Sequence, residues 1–180
     1  VAESVTIPNK VVQITNASTS PLITVLPADQ GQDFLFRTCP SDALQGVVLA
    51  KLAVGLQYKT AAGIYVNNPY GQGLAEQFKK SFETRGGKVA ALVPHDEAPA
   101  PTYVAELRRA TQSKPDVLAA ISYPGHASIY LREAIEGNYI KTFLFCDGTK
   151  SLEIVKAIGE KNAEGMMGTA PGSVLTNGYN

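Results

Sequence analysis

From residue 33 onward the chain alternates short apolar runs with longer stretches whose apolar positions recur every three or four residues. The runs are FLFRT at 34–38, AAGIYV at 61–66, KVAALV at 88–93, VLAAIS at 117–122, TFLFC at 142–146 and GMMGTA at 165–170. Each is short and lies near Gly, Pro, Asn or Asp, the pattern of a strand buried in a sheet. Between them lie helical stretches. Ser41 or Asp42 caps one carrying Leu44, Val47, Val48 and Leu52, and Leu74, Phe78 and Phe82 mark the next. Val104, Leu107 and Ala110 lie on a third, Ile129, Glu133 and Ile135 on a fourth, and residues 152–158 form a fifth, while Gly86-Gly87 and Gly137 supply stops. Strands alternating with helices of this length predict an α/β fold, a doubly wound parallel sheet with helices on both faces. Right-handed crossovers then put every strand-to-helix turn on one edge of that sheet.

Residues 1–32 read differently. They hold one strand at 10–15 (KVVQIT), then Asn16-Ala17-Ser18-Thr19-Ser20-Pro21, then a loop through Pro27, Asp29 and Gly31. No helix here is long enough to cover the strand, which is therefore expected to belong to a sheet whose other strands lie outside this sequence.

The shared edge is where function is expected, because ligands of open parallel sheets bind outside the carboxyl ends of the strands. The turns that follow strands are 17–19, 67–71, 123–125 and 147–148, and the last three converge on one rim with two tyrosines, Tyr70 and Tyr123, and one carboxylate, Asp147. Tyr70, between Pro69 and Gly71, reads as facing a cleft; the alternative is that it packs over its own helix. The opposite turns, at 57–60, 85–87, 113–115 and 138–141, are polar, basic or glycine-rich, as a solvated edge would be.

Composition narrows the partners. The 180 residues are 44% hydrophobic and 18% charged, enough for one good core. Lys+Arg and Asp+Glu both number 16, so no basic field argues for nucleic acid or for a membrane surface. No apolar run approaches the roughly 20 residues of a membrane span, and Val1-Ala2-Glu3-Ser4 carries neither region of a signal peptide.

Catalytic patterns fail. Gly71-Gln72-Gly73 lacks the third glycine of a dinucleotide loop, having Glu76 there, and neither a GxSxG elbow nor a phosphate loop occurs. His95-Asp96-Glu97 are consecutive and read as a solvated acidic loop rather than as metal ligands with His126. Asn16-Ala17-Ser18 matches a glycosylation sequon by a pattern too short to weigh. No catalytic residue, metal or cofactor is expected, and the chain does not read as an enzyme.

A set of motifs in order carries a resemblance: residues 15–21 (TNASTSP), Phe36-Arg37-Thr38, Ser41-Asp42 with Gln45-Gly46, residues 70–73 (YGQG), Lys114-Pro115-Asp116, Asp147-Gly148, Glu164-Gly165 and Gly168-Thr169. Together they resemble the periplasmic solute-binding proteins of the branched-chain amino acid (Leu/Ile/Val) type, over nearly the whole chain. That family is bilobed, each lobe a parallel sheet flanked by helices, and delivers its ligand to an ABC importer. The resemblance implies that residues 1–33 are the terminal segment of a first lobe, residues 34–170 the second lobe, and residues 171–180 a tail. It also implies a periplasmic or extracellular location, a membrane permease as partner, no nucleic acid and no membrane span of its own.

The same resemblance implies roles for single residues. Ala17 through its backbone, Thr19 through its hydroxyl and Ser18 beside them would grip an amino acid's carboxylate and amino groups. Tyr70 and Tyr123 would close over the ligand, and Asp147 would pair with its ammonium group. The ligand would be an amino acid or a related small solute. The alternative function is a ligand-sensing domain of a regulator or receptor with the same fold. An exported protein meets an oxidising compartment, and Cys39 and Cys146 both end apolar strands, so a disulfide between them is expected if those strands share a sheet edge; the alternative is two buried thiols.

Overall fold

The structure is a computed structural model that describes residues 1–172; residues 173–180, most of the expected tail, lie outside the described residues. In chain order the elements are β1 (Gln13–Thr15), β2 (Leu35–Arg37), α1 (Asp42–Gly55), β3 (Thr60–Val66), α2 (Pro69–Glu83), β4 (Lys88–His95), α3 (Val104–Thr111), β5 (Val117–Ile121), α4 (Pro124–Glu136), β6 (Phe143–Phe145), α5 (Leu152–Ile158), α6 (Glu160–Ala163) and β7 (Met167–Gly168). The apolar runs and periodic stretches of the sequence all became strands and helices. Residues 21–25 and 27–29, expected as loop, wind into short 3-10 turns, each with a proline at its start.

β3 to β7 form one parallel sheet in the order β4-β3-β5-β6-β7. All five residues of β5 are buried, as a strand covered on both faces requires. Its side chains alternate: Val117, Ala119 and Ile121 join the cluster with Leu49 and Ala53 of α1 and Leu74, Phe78 and Phe82 of α2, while Leu118 and Ala120 join Leu107 of α3, Tyr130 and Leu131 of α4 and Ile154 of α5. The two faces are thus two half-cores with the sheet between them. α1 lies against α2 through Gly46, where a Cβ would come within 2.8 Å of Gln77 and 2.9 Å of the Phe78 backbone nitrogen. Only glycine permits that approach. At the amino ends of the strands, Asp116 accepts hydrogen bonds from the backbone N–H of Lys59 (2.8 Å) and Thr60 (2.7 Å), which hold its carboxyl below the usual range.

β1 and β2 form a separate parallel pair, with Gln13 opposite Leu35. This moves the expected boundary at residue 34. β2 belongs with β1, and the sheet unit starts after Arg37, at α1, whose first turn Ser41 caps by accepting from Ala43 N–H at 3.2 Å. An apolar run shows that a strand is buried or paired but not which sheet it joins. Ile14 and Phe36 on this pair are 66% and 47% exposed.

The same topology removes the expected disulfide. β2 and β6 share no sheet, and both cysteines are free. The Cys39 thiol donates to the Ser18 carbonyl at 3.6 Å, whereas Cys146 is buried with its sulfur 3.3 Å from the Ala120 carbonyl. Among the described residues no helix is long and apolar enough to cross a membrane.

Phe78 is fully buried and stacked on Phe82 with centroids 5.5 Å apart. Phe78→Ala is expected to lower unfolding free energy by about 3–5 kcal/mol. Leu152→Ala, at a residue 77% exposed, should change it by less than about 0.5 kcal/mol in the same denaturant titration.

Candidate functional site

β3 and β5 are neighbours, but the chain leaves them in opposite directions: α2 carries β3 outward to β4, and α4 carries β5 outward to β6. A crevice opens where the winding reverses, at the carboxyl ends of these two strands. The turns after β3, β5 and β6 border it.

Asn68 organises the first turn. Its Oδ1 accepts from the N–H of Tyr70 (3.1 Å) and Gly71 (3.0 Å), capping α2. Its Nδ2 donates to Glu97 Oε1 (3.0 Å) and to Tyr123 Oη (3.2 Å). Gly71 sits so close under this cap that a Cβ would fall 2.0 Å from the Val66 carbonyl oxygen. The Tyr70 ring stacks on Tyr123, centroids 5.5 Å apart and planes 17° from parallel. Its hydroxyl donates to Asp147 Oδ1 at 2.9 Å and accepts from Gly148 N–H at 3.2 Å. Burial, then the neighbouring Cys146 and Asp147, raise the Tyr70 pKa far above the ordinary phenol range. The phenol therefore stays protonated and remains a donor to Asp147.

The loop after β1 forms the facing wall. Thr15 Oγ1 accepts from Ala17 N–H at 3.4 Å and from Ser18 N–H at 3.1 Å, so both N–H groups are engaged within the loop. Thr19 is buried and its hydroxyl donates to Asp42 Oδ2 at 2.9 Å. Arg37 donates to the carbonyls of Thr19 (3.3 Å) and Ser20 (2.8 Å).

Ala17, Ser18, Thr19, Tyr70, Tyr123 and Asp147 all line one cavity of about 730 Å³, a volume that suits a small organic ligand. Tyr70 lines this cleft, with its hydroxyl on the β6 turn and its ring on Tyr123. Asp147 does not cap α5; Ser151 does, accepting from Glu153 N–H at 3.1 Å. A second cavity of about 650 Å³ lies between α5, α6 and β7, walled by Ile154, Val155, Ile158 and Met166. It holds none of the six residues.

Two features of the rim were not anticipated. Glu97 also lines the cavity, so Asp147 is not its sole carboxylate. His95 does not belong to a solvated loop. It is buried, its ring 4.7 Å from that of His126. Its Nδ1 lies 2.8 Å from the Asp96 carbonyl and its Nε2 2.8 Å from Ser122 Oγ. A carbonyl only accepts, so Nδ1 carries the proton and Nε2 accepts from Ser122. Tyr103 Oη, which accepts from Ala100 N–H at 3.0 Å, shares a hydrogen bond of 2.8 Å with His126 Nδ1. The signal for His95 was parity: it follows Ala91 and Val93 on the face of β4 that packs against Tyr103 and Tyr130. Among the described residues no cluster of metal-ligating side chains occurs.

Comparison with known proteins gives a consistent picture. The sequence model of a family described as "Periplasmic binding protein" matches residues 4–175. A leucine-, isoleucine-, valine-, threonine-, and alanine-binding protein of Pseudomonas aeruginosa is 29% identical over 162 residues, 89% of this chain and 42% of that protein. A chemotactic signal transduction system substrate-binding protein, BasB, of Halobacterium salinarum is 30% identical over 129 residues, 70% of this chain and 30% of that protein. The chain spans less than half the length of these curated relatives. Among solved structures, a leucine binding protein from Thermotoga maritima superposes with TM-score 0.77 at 28% identity, covering 90% of this chain and 45% of that one. A branched chain amino acid ABC transporter protein from Thermus thermophilus with bound valine gives 0.74 at 18% identity, covering 91% and 42%, a likeness of fold.

Burial holds both His95 and His126 below their ordinary range. An unfolded chain ionises histidine near about 6.5, so on acidification below that the unfolded state binds more protons and stability falls. Asp42 has the opposite sign: burial raises it to about 6, so it adds stability as pH falls from there toward the ordinary carboxylate range. The expected outcome is that a His95→Gln/His126→Gln double variant loses less stability than the wild type between about pH 7.5 and pH 5.5 in denaturant titrations. A larger loss in the double variant would contradict it.

Proposed function

Because this chain belongs to the periplasmic binding protein family, we propose that it forms the second lobe and the ligand loop of a bilobed receptor. The receptor binds an amino acid, branched-chain or similarly small, between that loop and the turns after β3, β5 and β6. The observation that carries this reading is the convergence of Tyr70, Tyr123, Asp147 and residues 17–19 on one cavity. Each supplies a complementary group. Tyr70 engages Oδ1 of Asp147, and Oδ2 is the oxygen available to the ligand's ammonium. The stacked tyrosine rings give an apolar wall for the side chain, and the loop's backbone and hydroxyl groups face the ligand's polar end. These are binding groups without a nucleophile and base among them, so the receptor delivers its ligand unchanged.

The relatives' names favour leucine, isoleucine and valine as ligands. They also support a periplasmic or extracellular receptor whose partner is the membrane permease of an ABC importer. The Halobacterium relative, named for chemotactic signalling, favours a second reading in which the loaded receptor docks on a signalling protein instead. Which membrane partner co-purifies with the leucine-loaded receptor separates the two.

Calorimetry tests the ligand assignment. In the intact receptor Asp147→Asn should weaken L-leucine at least about thirtyfold and leave its deaminated analogue, 4-methylpentanoate, nearly unchanged, since removing one partner of a desolvated charge pair costs about 2–5 kcal/mol. Equal weakening of both ligands, or of neither, would remove Asp147 from the ammonium site. The 180-residue chain alone should bind leucine at least about tenfold more weakly than the intact receptor, because contacts shared between two lobes are needed for full affinity. Equal affinities in paired titrations would count against a bilobed site.

A further inference from the structure

Thr19 already has a partner before any ligand arrives. Its hydroxyl lies 2.9 Å from Oδ2 of Asp42, the first residue of α1, and the Asp42 N–H donates back to the Thr19 carbonyl at 2.9 Å. Arg37 holds the other side of the loop through the Thr19 and Ser20 carbonyls and the Thr24 hydroxyl. Asp42 is 0% exposed, and its Oδ1 has no hydrogen-bond partner among the described residues. An ionised carboxylate has no proton to give, so the bond runs one way, from Thr19 to Asp42. A hydroxyl has a single proton. Once that proton is committed to Asp42, Thr19 can show the cavity only lone pairs.

We propose that Asp42 is a positioning residue of the ligand site, which accepts the Thr19 hydrogen bond and so fixes Thr19 as an acceptor for the ligand's cationic group. The inference rests on the reading of the cavity as an amino-acid site. It also assigns work to a buried charge that is otherwise costly, since an ionised carboxylate with one unpaired oxygen is poorly compensated away from water.

The groups facing Asp42 set when this arrangement holds. Burial raises its carboxyl to about 6, with Asp147 adding to the rise and the Thr19 bond and Arg37 opposing it. Above that pH the carboxylate is ionised and Thr19 is committed as a donor to it. Below it, a neutral acid can donate or accept through either oxygen, so Thr19 is no longer held in one sense and a negative charge near the ligand is lost. Both effects weaken an ammonium-bearing ligand as pH falls through about 6. A ligand without the ammonium group escapes them.

The test uses the intact receptor, L-leucine and 4-methylpentanoate, with calorimetry at about pH 7.5 and about pH 5. The wild type should lose at least about tenfold in leucine affinity on acidification, and Asp42→Asn, which has no proton to take up, should lose less than about threefold. At the higher pH Asp42→Ala should weaken leucine at least about tenfold while leaving 4-methylpentanoate within about threefold. Asp42→Asn should recover part of that loss, because its amide oxygen still accepts from Thr19. Equal weakening of the two ligands by Asp42→Ala, or an unchanged pH response in Asp42→Asn, would reduce Asp42 to a structural support and overturn the proposal. A ligand-free readout keeps the proposal separate from the cavity reading. The Asp42 carboxyl, followed by carbon NMR, should titrate at higher pH in Thr19→Val than in the wild type, and an unmoved midpoint would overturn the inference by itself. Should the wild type fail to bind leucine, the cavity reading falls and the Asp42 midpoint alone decides.

Discussion

The Tyr70 hydroxyl is the interaction on which the rim depends. It joins the turn after β3 to the turn after β6 by donating a hydrogen bond to Asp147 and accepting one from Gly148 N–H, and its ring stacks on Tyr123 from the turn after β5. Three turns separated by long stretches of chain are thereby held in one arrangement. Gly148 is the condition for it. A Cβ there would lie 2.5 Å from the Ser122 carbonyl oxygen and 2.6 Å from Tyr70 Oη, so any side chain would push the β6 turn away from the other two. Burial keeps the phenol protonated, so the hydroxyl remains the donor of this link.

Much of this was legible in the sequence, for a physical reason. A parallel sheet covered on both faces needs uninterrupted apolar strands and amphipathic helices, and the crossover rule then puts the connecting turns on one edge. The runs at 61–66, 117–122 and 142–146 therefore carried both the fold and the grouping of Tyr70, Tyr123 and Asp147. What stayed hidden depended on contacts between elements that no local pattern records. The apolar FLFRT run could not say that Leu35–Arg37 pairs with Gln13–Thr15 outside the main sheet, and the pairing expected of Cys39 and Cys146 failed with that assumption. His95 was taken as solvated because Pro94, Asp96 and Glu97 surround it, although it continues the buried parity of β4. Glu97 follows β4 on the same edge, and its partner there is Asn68, 29 residues away.

Asp42 shows the limit most clearly. In the sequence it is a good residue for the first turn of a helix, where a negative charge suits the helix dipole. That explanation is complete on its own terms, and nothing in the local pattern asks for another. The fold adds a second set of demands: full burial, a hydroxyl partner from a loop 23 residues earlier and a neighbouring carboxylate, Asp147. A residue with a sufficient local role can therefore conceal a tertiary one.

The position of this contact matters as much as its chemistry. The loop at 15–20 belongs to the two-stranded unit, and α1 opens the five-stranded one. Thr19 and Asp42 bond across the junction in both directions, side chain to side chain and backbone to backbone, and Arg37 fixes the loop from β2, the strand just before α1. The facing walls of the cavity are thus tied at one end by a charge-assisted pair, which is stronger and more directional than a neutral contact. In the proposed bilobed receptor, such a tie would keep the loop's orientation toward α1 while the rest of the cleft opens, sparing each closure the entropy of ordering the loop again. The cost is a carboxylate buried with one unpaired oxygen; what it holds in order is the polar wall of the cavity.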